Sequence, residues 1–244
     1  MTPTSVPSQP PHRTAARQDA LAPGTPLDGY VIEKVLDSSR LGHVYQGRDT
    51  ATGQRVVLKE FLPVELALRQ ADGVTVQPRS DDHAAAFERG RQAFLEEAQL
   101  LRRCHHPSLL RVLRAWGEHG TGYRSMNPYL GDRLDEVRRA MPEPPDEPAL
   151  RALLDGLLGA LDTLHSANAV HGDLRASRVL LLSDDRALLM DGAAVRRAIA
   201  GDTLPLRGDD AARAEDLHAL AALAAWCIGG DEPAPAPGTW VEPD

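Results

Sequence analysis

The sequence predicts an α+β fold in which an antiparallel sheet is followed by a mainly helical part. Short strand-like runs separated by turn residues occupy the first half of the chain, namely YVIEKVL, GHVYQGRD and QRVVLKEF. In the second half, leucines recur at helical spacing between Leu150 and Leu164. With 244 residues, of which 42% are hydrophobic, the chain can bury the core of one domain or of two small lobes.

The elements of the first half follow from local pattern. Thr50 to Gly53 form a hairpin turn between the second and third strand-like runs, which indicates antiparallel pairing. A polar segment around VTVQPR follows, and then apolar residues near helical spacing predict one long helix from His83 to Cys104. The runs LLRVLRAW and YRSM predict two further strands of the same sheet.

The leucine-rich helix has a readable start and end. Asp146 is placed to cap its N-terminus, with Pro148 in the first turn, and Asn168 sits where a left-handed residue would end it. The segment VLLLSDDRALLM predicts a hairpin that turns at Asp184 and Asp185, and a final buried helix is expected over 211–228.

Composition sets the boundaries of the folded part. Residues 1–26 are rich in Pro, Ser, Thr and Gln, and residues 231–244 repeat Pro at short intervals, so we expect both tails to be disordered. Between them, the pattern predicts a sheet-containing N-lobe over 27–127 and a smaller C-lobe over 128–230.

Charge and apolar content exclude several classes of protein. A net charge of -8 without a basic stripe disfavours nucleic-acid and membrane-surface binding. The longest apolar stretch, LHALAALAAWCIGG, is too short to span a bilayer, and the first residues lack the core of a signal peptide. Cys104 and Cys227 lie in apolar helical contexts without CxxC spacing, which favours buried free thiols and a cytoplasmic location.

Four charged residues stand in a suggestive order along the chain: Lys59, Glu97, Asp173 and Asp191. Lys34 and Lys59 are the only lysines, yet Lys59 stands near the end of a strand, where a compact ammonium group can approach phosphates. Taken singly, each residue has a plain structural reading, such as a solvated helix face for Glu97 or a turn cap for Asp173. Their order and spacing favour the functional reading.

From Tyr30 to about Gly229 the chain resembles a bacterial serine/threonine protein kinase. The similarity is carried by KEFLP, by FLEEAQLLRRCHHPSLLRVL and by the series LH, VHGDLRASRVLL and MDGAA. The resemblance implies a bilobal kinase-like fold with a reduced, mainly helical C-lobe. From Asp191 to Asp216, which matches the buried Asp of the family's central helix, the activation segment is short and lacks APE. We therefore expect a reduced C-lobe or a fragment of a longer kinase.

The resemblance also implies where a nucleotide would bind. The segment VLDSSRLGHVY matches the glycine-rich loop, but Asp37 and Ser39 occupy its first two glycine positions. Lys59 and Glu97 match the ion pair that positions the phosphates of ATP, and Val57 and Met126 match the adenine pocket. The cofactor-binding residues implied in this way are Gly42, Val44, Val57, Lys59, Glu97 and Met126.

The implied catalytic residues carry substitutions. Asp173 matches the catalytic base, Arg175 replaces the phosphate-contacting Lys, and Asp191 matches the Asp of the metal-binding DFG motif, here Asp-Gly-Ala. Arg178 occupies the position of the family's second metal ligand, an Asn, and a guanidinium cannot ligate Mg²⁺. Gly172 replaces the Arg that would bind a phosphorylated activation loop. ATP is thus the candidate cofactor, whereas Mg²⁺ is disfavoured.

These losses favour a pseudokinase that binds a protein partner or a nucleotide. Arg178 could replace one metal charge by pairing with phosphate, which would leave nucleotide binding intact in EDTA. An active serine/threonine kinase stays open because Lys59, Glu97, Asp173 and Asp191 are all present. A small-molecule phosphotransferase of the aminoglycoside-kinase type also stays open, since HGDL resembles that family's catalytic loop. A metal site at Cys104, His105 and His106 is disfavoured because no second ligand pair has suitable spacing.

Overall fold

A computed structural model describes residues 18–204 and 206–230. The chain divides into two compact units, the first with the residues up to Leu95 and Leu113–Pro128, the second with Glu96–Val112 and the residues from Tyr129 onward. The predicted disorder of residues 1–17 and 231–244 lies outside the described residues. The α+β class predicted from the sequence is confirmed.

A six-stranded antiparallel sheet forms the first unit. Its order is β1-β2-β3-β4-β8-β7, so the chain adds strands in sequence until the last two, which come from beyond the long helix. The strands are β1 Pro26–Leu27, β2 Tyr30–Ser39, β3 Gly42–Asp49, β4 Arg55–Phe61, β7 Val112–Glu118 and β8 Thr121–Met126. The predicted turn at Thr50 to Gly53 joins β3 and β4, where Asp49 Oδ1 accepts hydrogen bonds from the backbone N–H of Ala51 and Thr52.

Residues 18–26 correct the predicted boundary of the N-terminal tail, because they are packed against the sheet. Leu21 is 1% exposed and joins the aromatic core of the unit, where Tyr30 and Trp116 stack with ring centroids 5.4 Å apart. Gly24 donates a backbone hydrogen bond to Ile32. The two leucines of LAPGTPL supply apolar area that a composition rich in Pro and Thr concealed.

A buried acid ties the first unit together. Glu60 is 0% exposed and accepts hydrogen bonds from both Tyr45 and Tyr123, at 2.6 and 2.7 Å. Arg69, from the two-stranded hairpin of β5 Ala67–Arg69 and β6 Val76–Pro78, donates to both Glu60 oxygens. The other Arg69 nitrogens donate to the carbonyls of Asp19 and Val74. Each charge of the pair is therefore matched and hydrogen-bonded, as burial requires.

The predicted long helix is α1, Asp81–Arg103, two residues longer at its start than the pattern indicated. Acidic residues occupy its first turn and Arg102 and Arg103 its last, in agreement with the helix dipole. Its first turns, in the first unit, place Phe87 and Phe94 against Phe61, with ring centroids 5.5 and 5.8 Å apart.

Helices and a small sheet make up the second unit. Its helices are α2 Leu134–Ala140, α3 Glu147–Ser166, α4 Ala194–Ile199 and α5 Asp210–Gly229. Its three-stranded sheet has the order β11-β10-β9, with β9 Gly131–Arg133, β10 Val179–Leu182 and β11 Ala187–Leu189. The predicted hairpin is thus present, and its turn residue Asp185 has a φ of 62°.

The predicted ends of α3 are confirmed, and the prediction for α5 needs a correction. Asp146 caps α3 by accepting a hydrogen bond from Ala149 N, and Asn168 has a φ of 56° just beyond the helix end. Helix α5 was expected to be buried, yet Leu217 and Ile228 are 47% and 55% exposed. Only one face of α5 packs. The prediction was wrong because the many alanines of α5 obscure the helical periodicity that distinguishes a one-sided from a fully buried helix.

The two cysteines are confirmed as buried free thiols, and burial raises the pKa of both. Within the described ranges, no helix is both long and apolar enough to cross a membrane.

Candidate functional site

The first unit brings four of the six implied cofactor-binding residues onto one face of the sheet. Val44 on β3 lies directly opposite Lys59 on β4, and Val57 lies directly opposite Met126 on β8. Val57 and Lys59 are two positions apart on one strand, and residues at that spacing or directly opposite each other share a face. The sheet therefore places an ammonium group beside an apolar patch.

In the hairpin that matches the glycine-rich loop, side chains accept hydrogen bonds from the hairpin's own backbone N–H groups. Asp37 Oδ1 accepts a hydrogen bond from Ser38 N at 2.8 Å, and Ser39 Oγ accepts one from Leu41 N at 3.3 Å. Backbone N–H groups bind phosphate when they point at it without another acceptor. Two such groups at this tip already have acceptors, so the loop is poorly suited to cradle phosphate.

The same tip is also held down on the chain that follows β4. Leu62 N donates to Leu41 O, and Val64 N donates to Arg40 O, both at 2.9 Å. Gly42 has a φ of 147°, and a Cβ there would lie 1.9 Å from Glu60 O. A glycine is therefore required at this position by close strand contact alone. Its predicted role in nucleotide binding stays a prediction.

Arg124 is a buried charge on the predicted nucleotide face that the sequence analysis did not single out. It is paired in register with Lys59, is 0% exposed, and its guanidinium lies 5.0 Å from the centre of the Phe94 ring. The signal was available, since an Arg inside the strand YRSM alternates onto the face that carries Met126.

In the second unit, Asp216 on α5 anchors the loop that carries the predicted catalytic residues. Its carboxylate accepts hydrogen bonds from the backbone N–H groups of His171 and Gly172, at 2.9 and 2.8 Å. His165 Nε2 lies 2.9 Å from the same carboxylate, which is 1% exposed. The buried Asp predicted from the resemblance thus holds the HGD turn in place.

His171 connects this loop to the segment after β11. Burial lowers its pKa despite the neighbouring carboxylates, so the ring is neutral near pH 7. The neutral tautomer that fits both contacts donates from Nε2 to Met190 O and accepts at Nδ1 from Asp173 N, each at 3.3 Å. Ala193 N donates to His171 O, which fixes the Asp-Gly-Ala segment against the loop.

Three arginines surround the carboxylate of Asp173. Arg178 Nε donates to Asp173 Oδ2 at 2.8 Å, and Arg196 Nη2 forms an ion pair with the same oxygen. Arg175 Nε lies 3.3 Å from Asp173 Oδ1 but forms no aligned hydrogen bond. Both oxygens of the predicted catalytic base therefore face guanidinium groups instead of being available to a substrate hydroxyl.

The charge state of Asp173 follows from this arrangement. Burial alone would raise the pKa of Asp173, but the guanidinium groups of Arg196, Arg178 and Arg175 outweigh it and hold the pKa below its usual range. The group is therefore a carboxylate at neutral pH, and its charge is already engaged by three cations.

Two local features position Arg178 and Arg196. The turn of 3₁₀-helix from Ala176 to Arg178 brings Arg178 back over the carboxylate five residues earlier. Helix α4 begins directly after the Asp-Gly-Ala segment and presents Arg196 in its first turn. Arg178 could be identified from the sequence, but Arg196 could not, because its contact with Asp173 depends on where α4 starts.

The Asp-Gly-Ala segment itself is tightly packed. Asp191 is half-buried two residues after the end of β11, and a Cβ on Gly192 would lie 2.4 Å from His171 O. A side chain at Gly192, such as the Phe of the DFG motif, therefore cannot be added without moving this backbone.

Of the two metal-ligand positions that the resemblance implies, one keeps an oxygen donor, the carboxylate of Asp191, and the other is Arg178. Mg²⁺ needs oxygen ligands in near-octahedral geometry, whereas Arg178 offers only N–H donors at the ligand position and Asp173 is held by cations. In the part of the chain that the structure describes, no group of three or more His, Cys, Asp or Glu side chains could hold a metal ion.

Glu97 and Lys59 belong to different units, so their predicted ion pair stays a prediction. Glu97 is 5% exposed near the C-terminal end of α1. Its burial excludes the alternative reading as a solvated helix face.

Comparison with known proteins identifies the family. The model of the protein kinase domain matches residues 30–201. The chain belongs to the protein kinase domain family. Among solved structures, the apo form of PpkA-294 superposes with a TM-score of 0.77 at 28% identity, covering 88% of this chain and 81% of that one. The kinase domain of Mycobacterium tuberculosis PknI shares the fold, with a TM-score of 0.66 at 24% identity, covering 92% and 82%.

Curated relatives are serine/threonine-protein kinases of greater length. The probable kinase YbdM of Bacillus subtilis is 25% identical over 66% of this chain, and PknI of Mycobacterium tuberculosis is 26% identical over 88%. The chain spans 56% of the first and 34% of the second. Serine/threonine-protein kinase 10 of Homo sapiens is 22% identical over 68% of this chain and 15% of its own length.

Proposed function

We propose that this kinase domain is a pseudokinase that acts by binding a nucleotide or a protein partner and does not transfer phosphate efficiently. The contacts of Asp173 support the proposal most. In phosphoryl transfer a carboxylate at this position accepts the proton of the substrate hydroxyl and must be free to orient it. Here its oxygens face Arg178, Arg196 and Arg175 instead.

Two further features support the same conclusion. The hairpin tip bonds its own N–H groups through Asp37 and Ser39, which weakens a phosphate cradle. Arg178 also supplies no lone pair where a metal ligand is needed, and the metal ion normally bridges the phosphates and neutralises their developing charge. Three separate parts of the transfer chemistry are thus impaired together.

A protein partner would bind at apolar surface of the second unit. The exposed apolar side chains of the second unit, Leu158 on α3 with Leu217 and Ile228 on α5, offer area for such a contact.

The buried free thiols Cys104 and Cys227 favour a reducing compartment, so we place this function in the cytoplasm.

Incubation with γ-labelled ATP, Mg²⁺ or Mn²⁺ and generic serine and threonine substrates tests the proposal. We expect the wild type to incorporate no more label than Asp173→Asn. Arg178→Asn, which restores the family's ligand type, should remain inactive because Arg196 still engages Asp173. Arg186→Asn, an exposed arginine paired with Asp184, serves as the matched control. Transfer by the wild type at an ordinary enzymatic rate, lost in Asp173→Asn, would contradict the proposal.

A further inference from the structure

The arginines around Asp173 carry more positive charge than that carboxylate can neutralise. Arg175, Arg178 and Arg196 all form ion pairs with the same carboxylate, that of Asp173. Three guanidinium groups therefore share one negative charge. A structural ion pair is balanced, whereas this cluster has a surplus of cations, which favours an additional anion.

The cluster is also incompletely hydrogen-bonded. Arg175 Nε is buried, yet it has no hydrogen-bond partner among the described residues, although it lies 3.3 Å from Asp173 Oδ1. A buried N–H donor without an aligned acceptor is costly, so Asp173 alone does not satisfy the three guanidinium groups.

A ligand can reach these groups from solvent. The side chains of Arg175, Arg178 and Arg196 are 39%, 22% and 24% exposed, whereas that of Asp173 is 7% exposed. The carboxylate thus lies beneath the guanidinium groups, and their outer N–H donors are accessible without unfolding. Guanidinium forks match the oxygens of phosphate in geometry and charge.

We infer that Arg175, Arg178 and Arg196 bind the phosphate chain of a nucleotide, and that this binding needs no divalent metal ion. The inference rests on the proposed function, in which the domain binds rather than transfers. The arginines supply the positive charge that a metal would otherwise bring to the phosphates, at a site where Arg178 occupies one of the two metal-ligand positions. A chain of phosphates suits three separated forks better than a single carboxylate does, since it offers several anionic groups.

Binding in EDTA tests the inference on the full chain, with ATP, inorganic tripolyphosphate and adenosine as probes in isothermal titration calorimetry. ATP and tripolyphosphate should bind the wild type without metal, and adenosine should bind much more weakly. Arg178→Gln and Arg196→Gln should each weaken tripolyphosphate binding by about ten-fold or more, the scale of a lost charge-assisted hydrogen bond. Arg186→Gln should leave the affinity unchanged, because Arg186 pairs with Asp184 at an exposed turn.

Two further variants keep the test decisive if a Gln variant folds poorly. Arg178→Lys retains the charge but not the fork and should bind more weakly than the wild type yet more tightly than Arg178→Gln. Asp173→Asn removes the competing carboxylate and should tighten binding by about three-fold or more. Far-UV circular dichroism confirms that each variant is folded.

The outcomes separate this inference from the proposed function. If ATP binds only with Mg²⁺, or if Arg178→Gln and Arg196→Gln bind tripolyphosphate as the wild type does, the inference is wrong while the absence of transfer still stands. If a phosphoserine peptide binds the cluster far more tightly than ATP or tripolyphosphate, the site belongs to a protein ligand and the inference is also wrong. If label is transferred at an ordinary rate in the parallel assay, the proposed function itself fails.

Discussion

Glu60 in the first unit and Asp173 in the second are both carboxylates held by arginine. They differ in the number of arginines that share the negative charge. Glu60 meets one arginine, and two tyrosines saturate its remaining acceptor capacity. Asp173 meets three arginines that remain partly exposed, one of which has an unsatisfied nitrogen. A saturated, neutral pair fixes a fold, whereas a surplus of accessible cations indicates a place for a ligand.

Among the variants that test this difference, the largest expected loss of stability is at Glu60. Glu60→Ala should lower the free energy of unfolding by about 3 to 5 kcal/mol, because it leaves Arg69 buried without its counter-charge and two phenols without an acceptor. Urea unfolding followed by circular dichroism measures the loss. In the wild type, burial and the Glu60 carboxylate raise the pKa of Tyr45 and Tyr123, so both phenols are neutral donors to Glu60.

Glu65→Ala is the matched control for that variant. Glu65 pairs with Arg40 at the surface, with 66% of its side chain exposed, so its loss should cost less than about 1 kcal/mol. A Glu60→Ala protein with the stability of Glu65→Ala would remove the structural side of the comparison.

Alternation along β4 made part of this arrangement predictable. Lys59 was expected to face a nucleotide, and the next residue of a strand points to the opposite face, which here is the core. A glutamate on a core face implies a buried partner, but Arg69 lies in a hairpin that the sequence analysis left as a polar segment. Its pairing depends on tertiary contact, which local pattern does not encode.

For the HGD loop, the sequence predicted the residues but not all of their contacts. Asp173, Asp216, Arg175 and Arg178 were implied by the resemblance. The fold brings Asp173, Arg175 and Arg178 together, while their roles stay predictions. The contact of Arg196 with Asp173 could not be inferred, because the pair RR in AVRRAI is typical of any solvated helix turn. The charge surplus of the site therefore emerged only when α4 was placed in the fold.

Asp216 gives a second comparison with Asp173, this time within the second unit. Like Glu60, it is a buried acid whose carboxylate oxygens are occupied by hydrogen-bond donors. Asp216→Ala should lower the free energy of unfolding by about 2 to 3 kcal/mol, because two backbone N–H groups of the catalytic loop lose a charged acceptor. Glu215→Ala, at the exposed neighbouring position of α5, should change it by less than about 0.5 kcal/mol. Equal stabilities of the two variants in urea would show that the loop does not depend on Asp216.

The smallest expected effect is the pH dependence of Asp173, whose pKa is lowered in the folded state. A lowered folded pKa stabilises the protein above the unfolded value of about 3.9, and this stabilisation is lost as the pH falls through the lower folded value. At pH 7 the wild type should exceed Asp173→Asn in unfolding free energy by about 1 kcal/mol, a modest figure because the arginines are partly exposed.

That advantage should shrink as the pH is lowered from 4 toward 2, where Asp173 becomes protonated and no longer attracts the guanidinium groups. Asp155→Asn, an exposed site on α3, controls for the loss of one negative charge. Paired urea titrations at several pH values measure the difference. An advantage that grew on acidification would mean that the three arginines do not stabilise the carboxylate, and the surplus charge that distinguishes this site from Glu60 would lose its physical basis.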